Sequence, residues 1–392
     1  MTKPAYRIPS TAELTGRAKD SGLTVASTFS GAGGSSLGLA WAGLSTVYAS
    51  EFIPEARDVY RRNRPGVPVD DRDIREVSAA DVLTLAGVDE LDVLEGSPPC
   101  ASFSSSGRRD KGWGQERAYS STRQRTDDLF GEYTRLLAEL RPRAFVAENV
   151  EGLVKGRAKG YYRQVLDGLR AAGYRVGARV LDAQWLGVPQ RRRRLIIVGL
   201  RDDVARGTPP PFPDPLPWRY SIADACPWLA PSTRIRGRRG HAYRGVELTR
   251  DDRMMTVLAS DPEQTRWELA DAGAAPSDAE LADASVEGYA IADEWQRLRR
   301  GEWSSRYQSL HRLDHSRPSA TITQTGGIPG AAGPILDEGP RRFTIGELRR
   351  VCGFPDDFEL TGSYAQQWER LGRAVPPPMM RAVGEALAKV LT

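Results

Sequence analysis

The chain has 392 residues, 40% of them apolar, and a formal net charge of 55 − 51 = +4. That length supports one large domain with a smaller one beside it, and no apolar run is long enough to span a membrane. Met1–Arg7 lacks an apolar leader segment, and Cys100, Cys226 and Cys352 share no ligand spacing with the three histidines. The expectation is a cytoplasmic protein in a reducing compartment, with no metal site and no membrane partner.

Residues 23–29 predict a strand, followed by Gly31-Ala32-Gly33-Gly34 and a helix carrying Leu37, Leu39 and Trp41. Thr46–Ser50 predicts a second strand ending at Glu51, and the next helix buries Ala56, Val59 and Tyr60. Asp73-Ile74 follows a third strand, and Leu91–Leu94 predicts another that ends near Cys100. Leu129, Tyr133, Leu136, Leu137 and Leu140 repeat at helical spacing before a strand at Ala144–Ala147 with Glu148 at its end, where a carboxylate could also simply cap a helix, and Asn149-Val150 and Gly152 continue as loop. Leu195–Gly199 predicts one more buried strand. This alternation predicts an α/β fold, a doubly wound and mostly parallel sheet with sites at the strand carboxyl ends.

The pattern changes after Leu200. Thr208–Pro217 is proline-rich, and residues 202–316 lack regular alternation, so a second, smaller domain is expected there. Regular structure resumes at Thr321-Ile322-Thr323 and ends in a helix whose buried face is Met379, Val383, Leu387 and Val390. The resulting division is an N-terminal extension (1–22), a main domain (23–200), an inserted domain (201–316), and a return to the main domain (317–392).

Glycines at residues 31–34 let backbone approach a ligand closely, although their spacing departs from the dinucleotide-binding pattern and a tight structural turn explains them equally well. Glu51, 20 residues after Gly31, is placed to accept from ribose hydroxyls, and Asp73 to accept from an adenine amino group. Cys100 sits between Pro98-Pro99 and a run of serines and arginines. A loop thiol near cations becomes a thiolate, which is the nucleophilic form; a buried small hydrophobe is the plainer alternative. A thiol and the Glu148 carboxyl at two strand ends suit addition of a nucleophile to an electron-poor ring while an acid manages the ring's charge. Basic residues cluster at 107–125, 191–194 and 234–253, whereas residues 261–294 hold ten acids against Arg266 alone. Such separated basic segments suit a polyanionic phosphate backbone, with solvated surface as the alternative.

Pro99-Cys100, Glu148-Asn149-Val150, Gln190–Arg194, Arg317–Ile322 and Gly372–Pro377 occur in an order that resembles the DNA cytosine-5 methyltransferases. Phe29–Gly34 is similar to that family's first cofactor motif, and Cys352–Asp356 to the segment before its last. The resemblance runs from about Val25 to the end, interrupted by the variable region. It implies an S-adenosylmethionine-dependent methyltransferase fold, with Cys100 attacking carbon 6 of a flipped-out cytosine. Glu148 then holds and protonates the ring at nitrogen 3, Asn149 helps to position it, Arg194 binds the cytosine carbonyl and Arg192 supports Arg194. The implied cofactor pocket comprises Phe29, Gly31, Gly33, Glu51, Asp73, Pro99, Leu129, Arg373, Ala374 and Val375. Residues 101–125 become a catalytic loop over double-stranded DNA, with Ser102, Arg108, Arg109 and Gln190 as DNA contacts. Residues 201–316 become a target recognition domain reading DNA with Arg236, Arg238 and Arg239. The partners expected are DNA, bound by a monomer, and a cognate restriction endonuclease.

Two positions depart from the family pattern. Ala101 stands where glutamine is usual, and Arg373 where asparagine is usual. Arg373 either pairs with a protein acid or with phosphate, or it binds a donor carboxylate. The latter would make carboxy-S-adenosylmethionine the cofactor and carboxymethyl the transferred group. A tRNA cytosine-5 methyltransferase and an inactive DNA-binding homologue are the remaining alternatives.

Overall fold

A computed structural model describes residues 3–99, 117–119, 122–124, 128–229 and 276–392. The first nine strands among the described residues are β1 Thr24–Thr28, β2 Ser45–Ser50, β3 Val69–Asp70, β4 Val93–Gly96, the ribbon β5 Arg117–Tyr119 and β6 Thr122–Gln124, then β7 Ala144–Val150, β8 Tyr174–Asp182 and β9 Arg193–Arg201. Seven of them form one sheet in the order β3-β2-β1-β4-β7-β9-β8. The first five in that order are mutually parallel, and β9 runs antiparallel to both of its neighbours. The expected doubly wound sheet is therefore mixed, with one reversed strand toward an edge.

Alternation along the strands builds a layer on each face. Phe145 and Ala147 of β7, with Leu195 and Ile197 of β9, pack against α5 (Leu129–Leu140) and α6 (Lys159–Ala171). Ala144, Val146, Ile196 and Val198 face the other way, against Leu39 of α2 (Gly34–Trp41) and the C-terminal helix Pro377–Leu391. That helix buries Met379, Val383 and Leu387 fully, while Val390 is partly covered. Because both faces are covered, the central strands are almost wholly apolar or small, as a two-sided sheet requires.

Two expectations change, and one strand was not expected. β7 continues past Ala147 to Val150, because β9 keeps pairing with it: Glu148 lies opposite Ile196, Asn149 opposite Leu195 and Val150 opposite Arg194. Glu148 and Asn149 are thus strand residues, and Glu151–Val154 is a 3₁₀ turn rather than open loop. Thr321–Thr323 is not a strand, since its backbone bonds to side chains instead of a neighbouring strand: Ile322 takes Gln190 and Arg192, and the Thr323 carbonyl takes Trp368. β8, a nine-residue strand at the sheet edge, carries mixed polar residues and had no apolar run to announce it.

The stretches outside the sheet are anchored to it. Leu14, in the N-terminal helix Thr11–Arg17, shares a core with Leu37 and Trp41 of α2. Phe212 packs against the C-terminal-helix core, and Ile222, Ala225 and Leu229 join the core around α2, so residues 205–229 pack as part of the main body. Val286, Ile291, Leu298, Leu310 and Ile335 form a separate small cluster. Among the described residues no helix is long and apolar enough to cross a membrane.

Candidate active site

The chain leaves β1 through an irregular turn. Phe29, Gly31 and Gly33 all have positive φ, at 52°, 55° and 92°. Glycine adopts this without cost, whereas Phe29 bears roughly 1–2 kcal/mol of steric strain. That strain marks the turn as built for a purpose, and its walls show which. A cavity opens at the carboxyl ends of β1, β2, β4 and β7, lined by Phe29, Gly31, Glu51, Pro99 and Glu148. Arg373, Ala374 and Val375 close it from the C-terminal segment. The two halves meet tightly: a β-carbon on Gly34 would stand 2.3 Å from the Val375 carbonyl oxygen.

Glu51 is placed by this turn. Its Oε2 accepts from the Gly31 N–H and its Oε1 from the Ile53 N–H, both at 2.7 Å. Burial raises its pKa, opposed by those two N–H groups and by Arg370 and Arg373. Apolar Phe29, Phe52 and Ile74 stand beside the polar Glu51, Arg72 and Arg370 in the same cavity. This mixture fits a nucleoside carrying a charged tail.

Three residues expected in this pocket do not themselves line the cavity. The α-carbon of Gly33 faces the Tyr60 ring. Asp73 caps a 3₁₀ turn at Arg75 and pairs with that guanidinium at 2.8 Å; its neighbours Arg72 and Ile74 line the cavity instead. Leu129 is fully buried in the sheet core.

On the side of β7 the cavity is lined by Glu148, which the neighbouring strand β9 pairs and charges from behind. Glu148 Oε1 lies 2.9 Å from Arg194 Nε. The register makes them diagonal neighbours on one face, because Glu148 opposes Ile196 two residues from Arg194. Burial raises the Glu148 pKa, and Arg194 and Arg192 oppose it. The Arg194 pKa is lowered by burial, with Glu148 opposing. Arg192 is almost fully buried, and its Nη1 and Nη2 donate to the carbonyls of Ile322 (3.0 Å) and Gly372 (2.9 Å). Burial and the Arg194 charge pull its pKa down to about 9. The arginine between them, Arg193, points outward and pairs with Glu151 at 2.8 Å. Asn149 projects to the opposite face from Glu148, and its Nδ2 donates to the Pro98 carbonyl at 3.0 Å, holding the chain two residues before Cys100.

Gln190 corrects another expectation. It is fully buried, its Nε2 donating to Cys352 Sγ at 3.4 Å and its Oε1 accepting from the Ile322 N–H at 3.2 Å. A side chain sealed in this way braces the approach to β9 and cannot touch a duplex. Arg373 ends the helix Tyr364–Arg373 and pairs with Glu369 at 2.7 Å, one turn earlier. Cys100, Ser102, Arg108, Arg109, Arg236, Arg238 and Arg239 lie outside the described residues. Sequence reading missed Arg72, Ser97 and Arg370 of the cavity wall. Ser97 carried a signal, since it lies between β4 and Pro99 and bonds to Glu148.

The Glu148 carboxyl, held by the Arg194 guanidinium, therefore opens onto the cavity that the glycine turn and Pro99 also line. Such a pair can hold a polar ring edge, the cation donating to a carbonyl oxygen and the protonated acid to a ring nitrogen. Comparisons with known proteins show the family. The chain is 29% identical to the Type II methyltransferase M.Sau96I of Staphylococcus aureus, over 98% of this chain and 80% of that one. It is 31% identical to the Type II methyltransferase M.NgoFVII of Neisseria gonorrhoeae, over 90% and 83% respectively. Its fold matches that of a putative DNA modification methyltransferase encoded within an E. coli prophage (TM-score 0.62, 21% identity, 94% of this chain and 99% of that one). Spodoptera frugiperda DNMT2 matches similarly (TM-score 0.62, 16% identity, 94% and 100%). The model of the C-5 cytosine-specific DNA methylases matches residues 23–389, and the chain belongs to that family of DNA cytosine-5 methyltransferases.

Proposed function

We propose that this enzyme transfers a methyl group from S-adenosylmethionine to carbon 5 of a cytosine flipped out of double-stranded DNA, within a specific recognition sequence. The observation that carries the reading is Glu148, which lines the cavity together with Phe29, Glu51 and Val375 and is paired with Arg194. S-adenosylmethionine, when bound there, supplies an electrophilic methyl group; Glu51 offers acceptors to its ribose and Phe29 an apolar wall. Asn149 fixes Pro98, and thereby the chain entering Cys100. The Cys100 thiolate adds to carbon 6 while Glu148 gives a proton to nitrogen 3 and Arg194 holds the carbonyl oxygen. Carbon 5, now electron-rich, takes the methyl group. With the donor's neutral thioether left behind, loss of the carbon 5 proton to a base restores the double bond, expels the Cys100 thiolate and returns the nitrogen 3 proton to Glu148. Removing the base from the stack costs a few kcal/mol, which contacts to DNA must offset.

Target recognition is assigned to the part of residues 201–316 that follows Leu229, since residues 205–229 pack on the main body, and the chain acts on DNA as a monomer. A cognate restriction endonuclease is the partner suggested by the Type II names of the relatives. The transferred group is read as methyl because Arg373 already pairs with a protein carboxylate, Glu369. Mass spectrometry of DNA from expressing cells tests this, and 5-methylcytosine is the expected product. 5-Carboxymethylcytosine would overturn the donor assignment. Modified tRNA with unmodified DNA would overturn the substrate, and failure to form an adduct on 5-fluorocytosine DNA would overturn the Cys100 mechanism.

A further inference from the structure

Beneath the glycine turn lies a carboxyl that this reaction does not use. Glu95, in β4, is 1% exposed. Its Oε2 accepts a hydrogen bond from Ser27 Oγ at 2.6 Å. Ser35, in the first turn of α2, bonds to the same carboxyl. Ser30 Oγ lies 3.0 Å from both Ser27 Oγ and the Ser27 carbonyl oxygen, and its one hydrogen can be donated to either. Ser30 and Ser35 both line the cavity, so short hydroxyl links connect a sealed acid to the cavity wall. Among the described residues no cation forms an ion pair with Glu95. The titratable groups that face it are Glu148 from β7, Tyr60 from α3 (Pro54–Asn63) and Tyr133 from α5. Across the cavity stand Glu51, Arg72, Arg370 and Arg373.

We propose that Glu95 is a positioning residue that lets the cavity distinguish the cationic methyl donor from its neutral product, acting through the hydroxyls of Ser27, Ser30 and Ser35. This rests on the S-adenosylmethionine reading above. Methyl transfer converts a positive sulfonium into an uncharged thioether, so donor and product differ by one unit of charge. When Glu95 is ionised, Ser27 donates to it and Ser30 donates to Ser27, leaving Ser30 lone pairs for the cavity. When Glu95 is protonated it can donate to Ser27, the chain reverses, and Ser30 can turn its own hydrogen toward the cavity. The first arrangement favours a cation, and the second does not. Burial holds the Glu95 pKa up at about 7, so both arrangements are within reach near neutrality.

Calorimetric titration of the full-length protein with S-adenosylmethionine and with S-adenosylhomocysteine, at pH 6 and pH 8, tests the proposal. For wild type, preference for the donor over the product should rise by about three- to tenfold across this range, corresponding to roughly half to one pKa unit of coupling. The rise should vanish in Glu95→Gln, which keeps hydrogen-bonding capacity without charge, and return in Glu95→Asp. An equal rise in Glu95→Gln would overturn the proposal and assign the effect to Glu51 or Glu148. Should the variant not fold, titrating wild type at pH 7 in two buffers of different ionisation enthalpy decides the matter. Donor binding should release more protons than product binding, and equal release would overturn the proposal. If neither ligand binds wild type, the donor assignment itself fails and takes this inference with it.

Discussion

The parallel and antiparallel parts of the sheet contribute to one cavity by different means. On the parallel side, β1, β2 and β4 end, and the segments after them do the work: the Phe29–Gly33 turn, Glu51 and Pro99 all follow a strand terminus. On the antiparallel side, β7 and β9 continue through the site. Their functional side chains are in-strand residues, sorted by alternation into those that face the cavity and those that do not. A turn can be reshaped by neighbouring residues, but an in-strand side chain is fixed by register. A one-residue slip would exchange Glu148 for Asn149 and Arg194 for Arg193. The acid and cation that need a defined separation thus sit on the more rigid half.

That contrast predicts the sharpest losses on the β7–β9 side. Glu148→Gln should lower turnover by about a hundredfold or more, the scale of a positioned acid, in a methyl-transfer assay on duplex DNA. A loss under tenfold would remove Glu148 from the chemistry. Next comes Arg192→Met, which leaves the carbonyls of Ile322 and Gly372 without their charged donor. Stability should fall by about 2–4 kcal/mol, seen as a lower urea midpoint; an unchanged midpoint would mean that Arg192 does not tie β9 to the returning segment. Smallest is Arg193→Ala, on the outward face with its side chain 56% exposed. Its stability should change by less than about 1 kcal/mol in the same titration. A loss as large as that at Arg192 would contradict the alternation on which the comparison rests.

Legibility followed the same divide. The turn at Gly31–Gly34, Glu51 and the helix stripe of α5 were readable because glycine, an acid at a strand end and a 3.6-residue period are local signals. Glu148 and Arg194 were readable as motif residues, yet their contact was not. It depends on β9 reversing direction and on a register that no local pattern specifies. Asp73, Leu129 and Gln190 show the complementary failure. Each residue type suits a ligand or DNA contact. The neighbours that turned them elsewhere, Arg75 for Asp73, the sheet core for Leu129, and Cys352 with Ile322 for Gln190, are supplied by the fold.

By itself, then, the sequence determined which elements form and which residue types carry the chemistry, because period, turn composition and motif order are properties of the chain. Tertiary structure alone decided which of those residues share a cavity. It paired Glu148 with Arg194, gave Arg373 a carboxylate partner in Glu369, and sealed Glu95 beneath the glycine turn. The physical reason is that burial and charge pairing are set by neighbours distant along the chain. Those neighbours decide whether a carboxyl stays an ordinary acid or becomes one poised near neutrality.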